Sequence, residues 1–142
     1  MLSEQRKMLV VDDDEGIREF IQMIMMSEGW EVLEGRTGVD AVEMAESEQP
    51  DLILLDLMMP VMDGFEAFTQ LRKNFLTKHI PVIMLTAINQ PDDATPHRKY
   101  ADEECYDENL IQLKLGVAKP EGFLDKPVNP RYLLDTILGV VG

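Results

Sequence analysis

The sequence predicts an α/β fold, a doubly wound and mainly parallel sheet with helices on both faces. Short apolar runs recur at residues 8–11, 30–33, 52–55, 81–85 and 122–124. Between most of them lie longer stretches whose apolar residues are spaced by three and four, the pattern of one helical face. The runs at 8–11, 52–55 and 81–85 are almost uninterrupted, as strands covered on both sides are. Strands that alternate with helices need crossover connections, and crossovers make neighbouring strands parallel.

In the first helix, Ile17, Phe20, Ile21 and Ile24 form the apolar face, and Met23, Met25 and Met26 extend it as flexible core filler. Asp14 directly precedes this run and reads as its N-cap, where a carboxylate accepts backbone N–H groups and suits the helix dipole. The second helix is expected to begin after Thr37 and to run through Val39, Val42 and Ala45 to about Ser47, with Pro50 separating it from the next strand. Asp63, with Glu66 three residues on, has the spacing of a capping box for a third helix, which carries Phe65, Phe68, Leu71 and Phe75 on one face. The last helix has Asn129 as cap, Pro130 at its first position and Tyr132, Leu133, Leu134, Ile137 and Leu138 turned inward, and it ends near Gly139. Residues 89–121 are irregular, with Pro91, Pro96, Pro120 and seven acids between Asp92 and Glu108. A helix from about Pro96 to Leu115, closed by Gly116, is expected there.

A chain of 142 residues that is 45% hydrophobic and 28% charged suits one domain with a real core, residues 1–142. Its net charge of −14 repels nucleic-acid phosphates and anionic membrane surfaces, so neither direct nucleic-acid nor membrane binding is expected. Cys105 is the only cysteine, which excludes an internal disulfide and makes a reducing, cytoplasmic location the default. The apolar stretch near the start is too short for a signal peptide, and no segment is long enough to cross a membrane.

In an open parallel sheet, ligands bind beyond the carboxyl ends of the strands. The polar residues there are Asp12 and Asp13 after the first run, Asp56 after the third, Thr86 after the fourth and Lys126 after the fifth. Three carboxylates converging on one sheet edge do not all stay ionised without a cation, and an all-oxygen ligand set suits Mg²⁺. Asp56 can then act as a nucleophile toward phosphorus once positive charge neutralises the transferring oxygens, with Lys126 supplying a cation and Thr86 a hydroxyl donor.

Four segments, VVDDDEGIR, LILLDLMMPVMDG, PVIMLTA and FLDKPVNP, in this order, resemble the receiver domain of bacterial two-component response regulators. The resemblance implies a flavodoxin-like (βα)5 sheet of strand order 2-1-3-4-5, with an enlarged region between the fourth and fifth strands. It also implies a phosphoacceptor signalling switch in a phosphorelay. Asp56 matches the phosphoacceptor, served by a histidine kinase or phosphotransfer protein. Asp13 matches the direct Mg²⁺ ligand, Asp12 the ligand acting mainly through water, and the backbone carbonyl of Met58 completes the protein's share. Lys126 matches the lysine that pairs with the acyl phosphate, in a Lys126–Pro127 bond expected to be cis. Thr86 matches the switch hydroxyl and Phe123 the switch aromatic. Phosphorylation is expected to draw the hydroxyl inward and change an output surface that meets a downstream protein or a fused output domain.

Two departures from the family stand out. Thr86 and Lys126 are 40 residues apart, where the family uses a little over twenty, so residues 89–121 read as an atypical insertion. Met58 and Ile88, two residues beyond Asp56 and Thr86, are apolar and poorly suited to orient water, which predicts slow self-dephosphorylation. A haloacid-dehalogenase-type phosphatase also uses an aspartate nucleophile, Mg²⁺ and a lysine, but it needs a second acid where Met58 stands. The expectation is therefore a switch that catalyses only its own phosphorylation and dephosphorylation, not a turnover enzyme. A docking module without phosphorylation has no need of the complete set of five polar residues. No output domain fits in this length, so the chain is expected to be a stand-alone receiver or a piece of a longer protein.

Overall fold

The computed structural model describes residues 5–59, 62–86 and 119–142. Five strands, β1 (Lys7–Val11), β2 (Glu31–Gly35), β3 (Leu52–Asp56), β4 (Val82–Thr86) and β5 (Gly122–Asp125), form one parallel sheet in the order β2-β1-β3-β4-β5. The described helices are α1 (Glu15–Ser27), α2 (Gly38–Glu48), α3 (Gly64–Lys73) and α4 (Pro130–Val141). The expected helix at 96–115, Ile88, Cys105 and most of the insertion lie outside the described residues.

Because side chains alternate along a strand, each strand serves two layers. Met8 and Val10, Leu52 and Leu54, Ile83 and Leu85, and Leu124 pack with Ile21 and Met25 of α1 and Leu133 and Ile137 of α4. Leu9 and Val11, Ile53 and Leu55, and Val82 and Met84 pack with Ala41 and Ala45 of α2 and Phe65, Phe68 and Leu71 of α3. Both faces are thus covered, which explains why β1, β3 and β4 are apolar at nearly every position. Each of these large side chains contributes about 1.5–3 kcal/mol on burial. Truncating Ile21 or Phe68 to alanine therefore costs at least about 2 kcal/mol.

The chain moves from β1 outward to β2 and then returns past β1 to β3, so the winding reverses between β1 and β3. The first loops of these adjacent strands leave in opposite directions and open a crevice at their carboxyl ends. Backbone bonds continue the ladder past the strand ends, from Asp12 N to Gly35 O (3.2 Å), Leu57 N to Leu85 O (3.0 Å) and Lys126 N to Thr86 O (2.6 Å). Where the described chain resumes, Glu121 Oε1 accepts from Val82 N (2.7 Å) and pairs with Arg72 Nη2 (2.7 Å), which ties the entry of β5 to the start of β4 and to α3.

All four helix caps are as expected. Asp14, Thr37, Asp63 and Asn129 have extended backbones and accept from Ile17 N, Asp40 N, Glu66 N and Tyr132 N, at 3.2, 3.0, 2.9 and 3.0 Å. The apolar faces are narrower than expected. On α1 the buried residues are Arg18, Ile21 and Met25, while Phe20, Met23 and Met26 are exposed. Of the three methionines only Met25 is core filler, because Met23 and Met26 lie on the helix side turned away from the sheet. Tyr132 and Leu138 flank the buried Leu133 and Ile137 and face outward. Phe75 lies beyond the end of α3 and is exposed, and its ring is capped by Lys78 Nζ at 4.7 Å. The last helix continues two residues beyond Gly139, to Val141.

Candidate functional site

The crevice between β1 and β3 collects the acids expected there. Asp56 ends β3 on the same side as Leu52 and Leu54, and Asp12 stands one residue beyond β1. Both are buried, whereas Asp13 is exposed at the rim. One carboxylate oxygen from each of Asp12, Asp13 and Asp56 lies within 4.8 Å of the others.

Lys126, which follows β5 and is joined to Pro127 by a cis peptide bond, reaches across into this cluster. Its Nζ lies 3.0 Å from Asp56 Oδ1 and 2.9 Å from Asp12 Oδ2. The contact to Asp12 Oδ2 is an ion pair, and among the described residues that buried oxygen has no other partner. Asp12 Oδ1 instead accepts from Asp14 N at 2.9 Å, and Asp56 Oδ1 accepts a long bond from Met58 N at 3.4 Å.

Among the described residues, the two buried carboxylates share a single cation. Burial pushes the Asp56 carboxyl up to about 7; Lys126 opposes this and the neighbouring Asp12 adds to it. Burial likewise raises Asp12 above its ordinary value, against the pull of Lys126. Burial would lower Lys126, but the fields of Asp56 and Asp12 hold its ammonium above the usual lysine range. One ammonium serves two buried carboxylates, and a third sits at the mouth.

An all-carboxylate oxygen cluster fits a hard divalent cation, and Mg²⁺ in particular takes one or two carboxylates while keeping waters. Among the described residues, the cluster holds no soft or nitrogen ligand that would favour zinc or copper.

Thr86 is buried at the end of β4, on the parity of Val82 and Met84, and its Oγ1 donates to Asp125 Oδ1 at 2.9 Å. The hydroxyl is thus engaged with the adjacent strand. Phe123 is half-buried and packs on the α2–α3 layer, beside Met84 in register.

One positioning residue escaped the sequence reading. Arg18, buried on α1, donates through Nη1 to Asp12 O at 2.7 Å and through Nε to Glu34 Oε1 of β2 at 2.9 Å. It fixes the turn that presents Asp12 and Asp13. An arginine within an apolar helical face was the available signal, since such a residue is buried only when its donors are satisfied.

A parallel sheet of this order, with aspartates and a lysine gathered at its carboxyl edge, defines a receiver-type signalling domain. The model of the response regulator receiver domain family matches residues 8–102, and the chain belongs to that family. It is 36% identical over 126 residues to the alkaline phosphatase synthesis transcriptional regulatory protein PhoP of Bacillus subtilis, covering 89% of this chain and 44% of that one. It is 39% identical over 87 residues to the DNA-binding dual master transcriptional regulator RpaA of Synechocystis, covering 61% of this chain and 36% of that one. The chain therefore spans less than half the length of these curated relatives. Among solved structures, Vibrio cholerae chemotaxis protein CheY4 superposes with a TM-score of 0.73 at 31% identity, over 96% of this chain and 99% of that chain. The receiver domain of the sensor histidine kinase PA1611 from Pseudomonas aeruginosa, whose structure has magnesium coordinated in the active-site cleft, superposes at 0.74 with 27% identity, over 98% and 99%. Among the described residues, no helix is long and apolar enough to cross a membrane.

Proposed function

We propose that the whole chain, residues 1–142, is a receiver that accepts a phosphoryl group on Asp56 from a histidine kinase or phosphotransfer protein. The observation that carries this is the meeting of Asp12, Asp13 and Asp56 within 4.8 Å, with Lys126 Nζ in contact with two of them. A carboxylate oxygen of Asp56 attacks phosphorus, the bond from phosphorus to the donor's imidazole nitrogen breaks, and an acyl phosphate is left on Asp56. Lys126 follows the charge from the carboxylate onto the phosphoryl oxygens. Asp13 and Asp12, with Asp56 and the Met58 carbonyl, would hold Mg²⁺, which when bound neutralises charge on those oxygens. A cation on this cluster also favours the ionised, nucleophilic form of Asp56 over the protonated form that burial promotes.

Thr86 and Phe123 are the switch pair in this reading, and the changed surface meets a downstream protein or an output domain carried by a longer chain. The relatives named for transcription regulation and DNA binding support a regulatory output, which in a chain this acidic does not come from nucleic-acid contact by the receiver itself. The setting is cytoplasmic, and the only chemistry catalysed is the domain's own phosphorylation and slow dephosphorylation, as the apolar Met58 beside the site suggests. Incubation with acetyl phosphate and Mg²⁺, read by intact mass, should add one phosphoryl group to the wild type and none to Asp56→Asn. An unmodified wild type, or equal uptake by the variant, would overturn the assignment.

A further inference from the structure

We propose that Asp125 is a positioning residue: it holds the Thr86 hydroxyl away from the acid cluster, and its release sets how readily the site accepts a phosphoryl group. The inference rests on the reading of Thr86 as the hydroxyl that serves the phosphoryl oxygens. Thr86 and Asp125 are direct partners in the β4–β5 register, and Lys126 N donates to Thr86 O at 2.6 Å, so the two backbones are fixed side by side. Thr86 lies on the parity of Val82 and Met84, Asp125 on that of Phe123, and both of these sets face the α2–α3 layer. Asp56 lies on the parity of Leu52 and Leu54, which face the opposite layer. The hydroxyl therefore starts from a rotamer directed at its cross-strand neighbour, with Oγ1 only 2.9 Å from Asp125 Oδ1.

A threonine hydroxyl has one proton to donate. While that proton is given to Asp125 it cannot be given to a phosphoryl oxygen on Asp56, so the two bonds exclude one another. The donor is buried, which makes its bond to a carboxylate worth keeping until a phosphoryl oxygen offers a replacement acceptor, and Asp125 stands at the exposed end of β5. Such a pair acts as a latch that opens. Because Phe123 is two residues from Asp125 on the same face of β5, departure of the hydroxyl also unties the strand segment that carries the switch aromatic.

The test separates the latch from a plain charge effect, since removing an acid near the site also lowers repulsion of a phosphoryl group. Beryllofluoride with Mg²⁺ serves as the phosphoryl mimic. Asp125→Ala should tighten its apparent affinity on the order of tenfold, the gain from no longer breaking a charge-assisted hydrogen bond. Asp125→Asn, which retains an acceptor oxygen without the charge, should recover most of the wild-type affinity. In a Thr86→Ala background, Asp125→Ala should have no further effect. Three-bond couplings from the Thr86 methyl carbon to its backbone nitrogen and carbonyl should report one rotamer in the free wild type and averaging in Asp125→Ala. An unchanged rotamer, or an equal affinity gain with and without the Thr86 hydroxyl, would overturn the latch and leave phosphoacceptance by Asp56 standing. A wild type that takes up no beryllofluoride would overturn the functional reading and the latch with it.

Discussion

Asp12 and Asp14 are two residues apart, and Asp56 and Asp63 seven, yet within each pair the acids obey different physics. Asp14 and Asp63 are helix caps at the surface, each with an oxygen on a backbone N–H of the first turn and the helix dipole in their favour. Asp12 and Asp56 are buried, share one ammonium and are pushed up toward protonation. The caps stabilise the fold, while the buried pair draws on that stability to keep a reactive group in place. What separates the roles is position relative to a strand end, not the chemistry of the side chain.

Removing the shared cation gives the largest contrast. Lys126→Met leaves two buried carboxylates without their shared cation and should cost the metal-free protein about 3–5 kcal/mol at pH 8, by urea denaturation. The loss should shrink at pH 5, where Asp56 holds its proton; an equal loss at both pH values would reduce Lys126 to a packing role.

Next in size is the effect of Asp56 itself. Its folded-state value of about 7 lies above the ordinary 3.8, so the folded protein binds this proton more tightly than the unfolded chain. The resulting stability is full below pH 3.8 and is lost as pH rises through 7. The metal-free wild type should therefore weaken between about pH 4 and 7, and Asp56→Asn should flatten most of that decline. Above pH 7 the variant should be the more stable by on the order of 2 kcal/mol. Asp12, whose shift has the same sign, contributes to the slope that remains.

The finest comparison is between neighbours. Asp13→Asn should weaken Mg²⁺ binding, followed by calorimetry, by on the order of tenfold or more and slow phosphorylation with it. Asp14→Asn should change neither by a measurable amount and cost a few tenths of a kcal/mol in stability, about the spread among good caps. The Asp14 amide that serves Asp12 belongs to the backbone and survives the substitution. Equal losses from both variants would erase the distinction between ligand and cap.

The strands β1, β3 and β4 and the polar residues directly after them were legible because strands buried on both faces leave an unbroken apolar run, and the polar residues that follow it mark the carboxyl edge. The caps were legible for a similar reason, as they need particular side chains at a fixed offset. Exposure on the helices was not. An apolar count along α1 includes Phe20, Met23 and Met26, but one sheet face covers only the stripe of Ile21 and Met25. The pairing of Thr86 with Asp125 was hidden for another reason. It depends on which residues stand opposite one another across strands, and register is set by the assembled sheet rather than by any local stretch.

Gly64 opens α3 directly behind the backbone of the site, where a β-carbon would run into Asp56 O and lie 2.8 Å from Leu57 Cα. For anyone recombining this chain with its relatives, residues 56–64 are consequently a single cassette. A helix start that brings any residue other than glycine to position 64 would collide with that backbone. The practical crossover points lie outside that stretch, ahead of Leu52 or beyond Lys73.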